Sequence, residues 1–141
     1  MDAKIKTDLE CESIAQQLRV HKVTPTSQRV EIARVLFQGP AHYCAEEIHA
    51  QVNHNGAKVS KATVYNTLGL FVSKGLVRQV VADPGKVFYD SNTQPHHHIY
   101  DTENGNLTDV STVRVELTAL PPMPPDLELD SVDVVIRVRK R

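Results

Sequence analysis

The chain has 141 residues, 40% of them hydrophobic, and 16 Lys/Arg against 17 Asp/Glu. That length suits one ordinary domain or two small ones, and no apolar run approaches the roughly 20 residues that span a bilayer. Only two cysteines occur, Cys11 and Cys44, far apart and outside any C-x-x-C pair, which argues against a disulfide framework and a cysteine-rich zinc site.

The N-terminus "MDAKIKTDLE" is polar and has no apolar signal core, so the cytoplasm is the expected location and no membrane partner is expected. Four helical segments follow. "DLECESIAQQLRV" sets Leu9, Ile14 and Leu18 near one stripe. "TSQRVEIARVLF" repeats Val30, Ala33 and Phe37 at helical spacing, with Ile32, Val35 and Leu36 widening the apolar face. Gly39-Pro40 should stop that helix. "CAEEIHAQVN" opens with Glu46 and Glu47, which the helix dipole favours in a first turn, and ends at Asn55-Gly56. "SKATVYNTLGLFVSKG" begins with Ser60, a good N-cap, and buries Val64, Leu68, Phe71 and Val72. Gly75 followed by Leu76 reads as its C-terminal stop. Gly69 in mid-helix implies close packing or a local weakness.

The period then changes from helix to strand. "LVRQVVA", the turn "DPG" and "KVFYD" predict a β-hairpin with Asp83, Pro84 and Gly85 at its tip. Two helices joined by a short turn and followed by a hairpin give the order of a winged helix-turn-helix. The expected class is therefore α+β: a winged-helix domain over residues 1–90 and a small α/β domain over 91–141. In the second part, "HHHIYD" and "NLTDV" flank Glu103-Asn104-Gly105-Asn106, a hairpin signal. "TVRVELTAL" fits a helix, prolines 121, 122, 124 and 125 exclude regular structure, and "SVDVVIRVRKR" alternates as a strand. About 50 residues make a thin core, so pairing across a two-fold axis, as a homodimer, is expected.

Charge is uneven. Residues 1–82 hold 10 Lys/Arg against 7 Asp/Glu, and residues 83–141 hold 6 against 10. A basic front half suits a polyanion. In a helix-turn-helix the second helix enters the major groove of double-stranded DNA. With Val64, Leu68 and Phe71 inward, the outward positions are Lys61, Ala62, Thr63, Tyr65 and Asn66, beside Ser60. Lys61 and Thr63 suit phosphates, the Tyr65 ring suits a thymine methyl, and Asn66 suits a base edge or a phosphate. Lys22, Arg29 and Arg78 could add backbone contacts.

The run His96-His97-His98 raises a second chemistry. On a strand, successive side chains alternate, so His96 and His98 share a face and His97 points away. Two imidazoles make half of a metal site. Asp90 at the end of the wing, Asp109 after the Asn-Gly hairpin, and His42 before the third helix can complete it. Three imidazoles and two carboxylates without a thiolate suit Fe(II), Mn(II) or Zn(II). His97 with Glu116 offers a second, weaker metal or haem site, and clustered imidazoles can also supply an axial ligand to haem. No separate general base or nucleophile-bearing turn accompanies these donors, so no enzyme is expected.

These residues, in this order, resemble the ferric uptake regulator superfamily from about Ile14 to Val138. The stretch "ATVYNTL" (Ala62 to Leu68) is similar to the family's recognition-helix core. His42, Asp90, His96, His98 and Asp109 match, one by one, the ligands of its regulatory metal site. Two aspartates in the carboxylate positions resemble peroxide-sensing members. Where many members carry C-x-x-C for structural zinc, this chain has Asp101 and Asn104, so a four-cysteine zinc site is not expected. A histidine triplet without those cysteines resembles the iron response regulator branch. That implies a transcriptional regulator of iron or haem homeostasis answering to haem or iron, with a peroxide-sensing or plain metal-dependent repressor as the alternative. Cys11 is followed by Glu12 and not by proline, which leaves only the histidine route to haem.

Overall fold

A computed structural model describes residues 3–38 and 42–141, and the chain divides into two units, residues 1–93 and 94–141. The first unit holds α1 (Ala3–Val20), α2 (Ser27–Leu36), α3 (Ala45–His54), α4 (Lys61–Ser73), β1 (Arg78–Asp83) and β2 (Lys86–Asp90). The expected stop at Gly39-Pro40 falls outside the described residues. Ile14 and Leu18 of α1 are buried, but Leu9 is 57% exposed. Nine residues amount to about two and a half turns at 3.6 residues per turn, so Leu9 lies opposite Leu18 and does not share its stripe.

The chain leaves α1 through Lys22, which has φ +61. Lys22 N–H donates to Arg19 O at 2.9 Å and Val23 N–H to Leu18 O at 2.8 Å. This is the left-handed helix ending in which glycine is usual. Thr26 then caps α2, its hydroxyl accepting from Arg29 N at 3.2 Å. Ile32, Val35 and Leu36 of α2, Ile48 and Val52 of α3, and Val64, Leu68 and Phe71 of α4 are all essentially inaccessible. Full burial of each such side chain is worth about 1.5–3 kcal/mol, and together they fix the three helices against one another.

Asn53, near the end of α3, closes the turn into α4. Its Nδ2 donates to His49 O at 2.8 Å and to Val59 O at 3.1 Å, while its Oδ1 accepts from Val59 N at 3.1 Å. The side-chain amide thus imitates a strand partner for Val59. Ser60 caps α4, accepting from Thr63 N at 3.1 Å. The helix ends at Gly75, φ +76, and the buried Leu76 donates its N–H to Phe71 O. Close packing at Gly69 is not found: a Cβ placed there would meet nothing within 4 Å.

β1 and β2 pair antiparallel with Arg78 opposite Asp90 and Asp83 opposite Lys86. Pro84-Gly85 alone forms the tip, with φ +80 at Gly85; proline then glycine supplies the two conformations such a turn requires. Helix, turn, helix and hairpin complete the winged helix-turn-helix. None of the described helices is long and apolar enough to cross a membrane.

The second unit is a three-stranded sheet in the order β4-β3-β5, with β3 (His97–Asp101), β4 (Leu107–Val110) and β5 (Val135–Val138). β3 and β4 are antiparallel and β3 and β5 parallel. The Asp101 carboxylate accepts from Glu103 N and Asn104 N and so closes the β3–β4 turn. The helix expected over 112–120 is not formed: only a single 3₁₀ turn, Thr112–Arg114, appears. Thr112, Val113, Val115 and Thr118 lose χ1 freedom in a helix, and Pro121 bars continuation. Val113 is 85% exposed, so no packing offsets that propensity, and so short a helix is marginal unaided.

Candidate metal centre and nucleic-acid interface

In the first unit, one backbone bridge creates a donor pair. Tyr43 N–H donates to Tyr89 O at 3.3 Å and Tyr89 N–H to Tyr43 O at 2.7 Å. An antiparallel bridge at Tyr43 and Tyr89 puts their neighbours, His42 and Asp90, side by side. His42 Nε2 lies 3.2 Å from Asp90 Oδ2, and both side chains are almost fully buried. The other Asp90 oxygen accepts from Asn92 N at 2.9 Å, which fixes the carboxylate. Arg78 stands opposite Asp90 at the root of the wing, partly buried.

In the second unit, register does the same work. His98 is the cross-strand partner of Asp109, and His96 stands two residues before it. His96 Nε2 and His98 Nε2 lie 3.3 and 3.5 Å from Asp109 Oδ1, and the two rings are 4.5 Å apart. The donor atoms of these three residues fall within 4.8 Å of one another. His96 Nδ1 is 2.6 Å from Gln94 O. A carbonyl only accepts, so Nδ1 bears the proton and a neutral ring turns its Nε2 lone pair toward the carboxylate. Two electron-pair donors facing each other repel unless a proton or a cation lies between them. Backbone capture of Nδ1 is also how metal-binding histidines are oriented, so the donor set fits a divalent ion.

His97 is oriented differently. Its Nδ1 accepts from Val134 N at 3.1 Å, joining the ring to the segment before β5. That leaves the proton on Nε2, and neither nitrogen offers an unused lone pair. Glu116 is exposed, and neither residue belongs to the donor cluster among the described residues. Pairing of His97 with Glu116 is thus not formed.

Also in the first unit, Arg29, Thr63 and Asn66 line a groove of about 510 Å³ with Thr26, Gln28 and Thr67. Arg29 is anchored there by donation to Thr24 O at 2.9 Å. Lys61, Tyr65 and Asn66 are exposed along α4, and Lys22 is exposed in the turn between α1 and α2. The Ser60 hydroxyl is committed to Thr63. One partner escaped sequence reasoning: the Tyr65 hydroxyl donates to Glu46 Oε1 at 2.6 Å. That bond holds the Glu46 carboxyl below its usual range and pushes Tyr65 up. No motif marks it, because the partners stand 19 residues apart on different helices.

Comparison with known proteins agrees with this geometry. The profile of the ferric uptake regulator family matches residues 20–120. The peroxide-responsive repressor PerR of Staphylococcus aureus is 35% identical over 105 residues, covering 74% of this chain and 70% of that protein. Its counterpart in Staphylococcus epidermidis is 32% identical over 110 residues, 77% and 73% of the two chains. The ferric uptake regulator structure from Vibrio cholerae superposes with a TM-score of 0.70 at 23% identity, covering 89% of this chain and 98% of that one, a likeness of fold. The chain belongs to the ferric uptake regulator family of metal-dependent transcription regulators.

Proposed function

We propose that the protein is a homodimeric, sequence-specific DNA-binding regulator of iron or haem homeostasis. Its operator affinity is set by a divalent ion, Fe(II) or Mn(II), with Zn(II) able to substitute in vitro. His42 and Asp90 of the first unit and His96, His98 and Asp109 of the second would hold that ion jointly. The observation that supports this best is the opposed imidazole and carboxylate within each unit, at 3.2 Å in the first and 3.3–3.5 Å in the second. Bound there, the ion would neutralise both carboxylates and tie the two units into one pose, and coupling of that kind is what lets an effector change DNA affinity. Within the chain, Gln94 O holds the His96 tautomer, Asn92 N holds Asp90, and the Tyr43–Tyr89 bridge holds His42 beside it.

The DNA-reading residues are Lys61, Thr63, Tyr65 and Asn66 on α4, with Lys22 and Arg29 on the phosphates. Arg78 in the wing would add a further backbone or minor-groove contact. Ile136 and Val138 on the edge strand β5, with Leu117 and Leu120 before it, are exposed. A second copy would cover such apolar surface. Haem remains a second effector. His96, His97 and His98 are all buried, so an axial ligand would have to turn out of its present contacts, whereas a small ion requires no such movement.

Operator affinity measured anaerobically by fluorescence anisotropy, with a duplex the protein itself enriches from a random pool, tests this reading. A change of at least tenfold on adding Mn(II) or haem supports it, and equal affinity in every condition refutes it. A peroxide-sensing role is a second reading, favoured by the 32–35% identity to peroxide-responsive repressors. Oxygen added to His42 or His96 after Fe(II) and peroxide, seen by mass spectrometry, would establish it.

A further inference from the structure

Tyr65 is the largest side chain on the outward face of α4, 48% exposed, yet the far end of its ring is held. The 2.6 Å bond to Glu46 is within the range of charge-assisted O–H···O⁻ contacts, which are the stronger kind. Glu46 is itself on a fixed support. It lies in the first turn of α3, where Cys44 N–H donates to Glu47 Oε1 at 3.1 Å and Tyr43 is bridged to Tyr89. The opposite shifts of the two groups, Glu46 down and Tyr65 up, have the same cause.

We infer, on the reading that α4 enters operator DNA, that Glu46 is a positioning residue that sets specificity by holding the Tyr65 ring and withdrawing its hydroxyl from DNA. A phenol has one proton. Given to Glu46, it cannot be donated to a phosphate, to guanine N7 or O6, or to thymine O4. The ring then offers its apolar face, which suits a thymine methyl, and at most a lone pair for an exocyclic amino group. A phosphate is further discouraged by the carboxylate beside the hydroxyl. Tyr65 is in this way confined to contacts that distinguish bases, and kept from the backbone contacts that every sequence offers alike.

The experiment takes the specificity ratio, Kd for a scrambled duplex divided by Kd for the duplex enriched by the wild type. Taking the ratio removes the general gain in DNA affinity that follows from deleting any negative charge. Glu46→Ala and Tyr65→Phe should each lower the ratio by about 5- to 10-fold, the factor equivalent to one hydrogen bond. The double variant should be no worse than the weaker single, because both changes remove the same interaction. Glu46→Gln keeps a carbonyl acceptor at the same length and should hold the ratio within about 2-fold of wild type. Unchanged thermal midpoints would show that a fall in ratio is not a folding defect. The inference is overturned if Glu46→Ala leaves the ratio intact. It is equally overturned if Tyr65→Phe lowers the ratio as much in the Glu46→Ala background as in wild type, since the hydroxyl would then touch DNA itself. If the wild type enriches no duplex at all, the DNA-binding reading has failed and this inference with it.

Discussion

Asn53 offers a test of how the recognition helix is held. Asn53→Ala removes three hydrogen bonds, at 2.8, 3.1 and 3.1 Å. The bond to His49 O counts for little, since that carbonyl lies within α3 and keeps its helical partner. The other two serve the N–H and C=O of Val59, a residue only 4% exposed. At about 0.5–1.5 kcal/mol net for each bond, the loss is roughly 2 kcal/mol. Alanine in place of asparagine in a helix returns about 0.5 kcal/mol, which leaves about 1.5 kcal/mol of destabilisation. For a unit of this size that lowers the midpoint by roughly 6–12 °C. Far-UV circular dichroism on heating, with metal chelated throughout, measures it. Asn53→Asp, which keeps the acceptor for Val59 N–H but loses both donors, should fall between alanine and wild type. A midpoint within 2 °C of wild type for Asn53→Ala (a shift of roughly a third of the smallest expected) would refute the assignment of this amide as the brace between α3 and α4.

Other expectations follow from single positions. Gly69→Ala, with open space around the new methyl, should stabilise the first unit by about 0.8–1.0 kcal/mol in thermal or urea unfolding. Lys22→Gly should relieve the left-handed strain at φ +61 and raise stability by about 0.5–1 kcal/mol. The same substitution should weaken operator binding through the lost phosphate contact and flatten its salt dependence by about one counterion, so that the two readouts move in opposite senses. Glu46 holds the ionisation of Tyr65 above its usual value. The stabilisation from that contact is full below the usual phenol pKa and disappears as pH rises through the raised one. In a phenolate absorbance titration of the four tyrosines, Glu46→Ala should therefore move Tyr65 to lower pH, with a lesser movement of Tyr89, which burial chiefly and the Glu46 charge secondarily hold up. Tyr65→Phe should delete the first of these components.

Much of the first unit could be read in the residues because its signals are local. Ser60 and Gly75 bracket α4, Val64, Leu68 and Phe71 recur at helical spacing, and Asp83-Pro84-Gly85 places the hairpin. The helix mistakenly expected over 112–120 came from a short apolar pattern in which β-branched residues and Pro121 prevailed. Leu9 reads as a stripe with Ile14 and Leu18, but nine residues place Leu9 and Leu18 on opposite faces. The donor set was legible as residue types, and the His-x-His spacing puts on one face two rings that both approach Asp109 Oδ1. Their company was not local information: His42 meets Asp90 because of a bridge between Tyr43 and Tyr89, 46 residues apart. His97 points away from that pair, and its Nδ1 accepts a backbone N–H from residue 134, which no spacing within the triplet could disclose. Glu46 and Asn53 were missed for a related reason. Each acts through a partner that only the turn between α3 and α4 brings near.

The central claim is that donors from both units serve one ion. Mn(II) titration of operator affinity in wild type, His42→Ala, Asp109→Asn and the double variant tests it most directly. If a single ion is shared, either substitution alone removes most of the metal response, and the double variant does no further harm. A chain in which His42→Ala responds to Mn(II) as the wild type does, while Asp109→Asn does not, would contradict it.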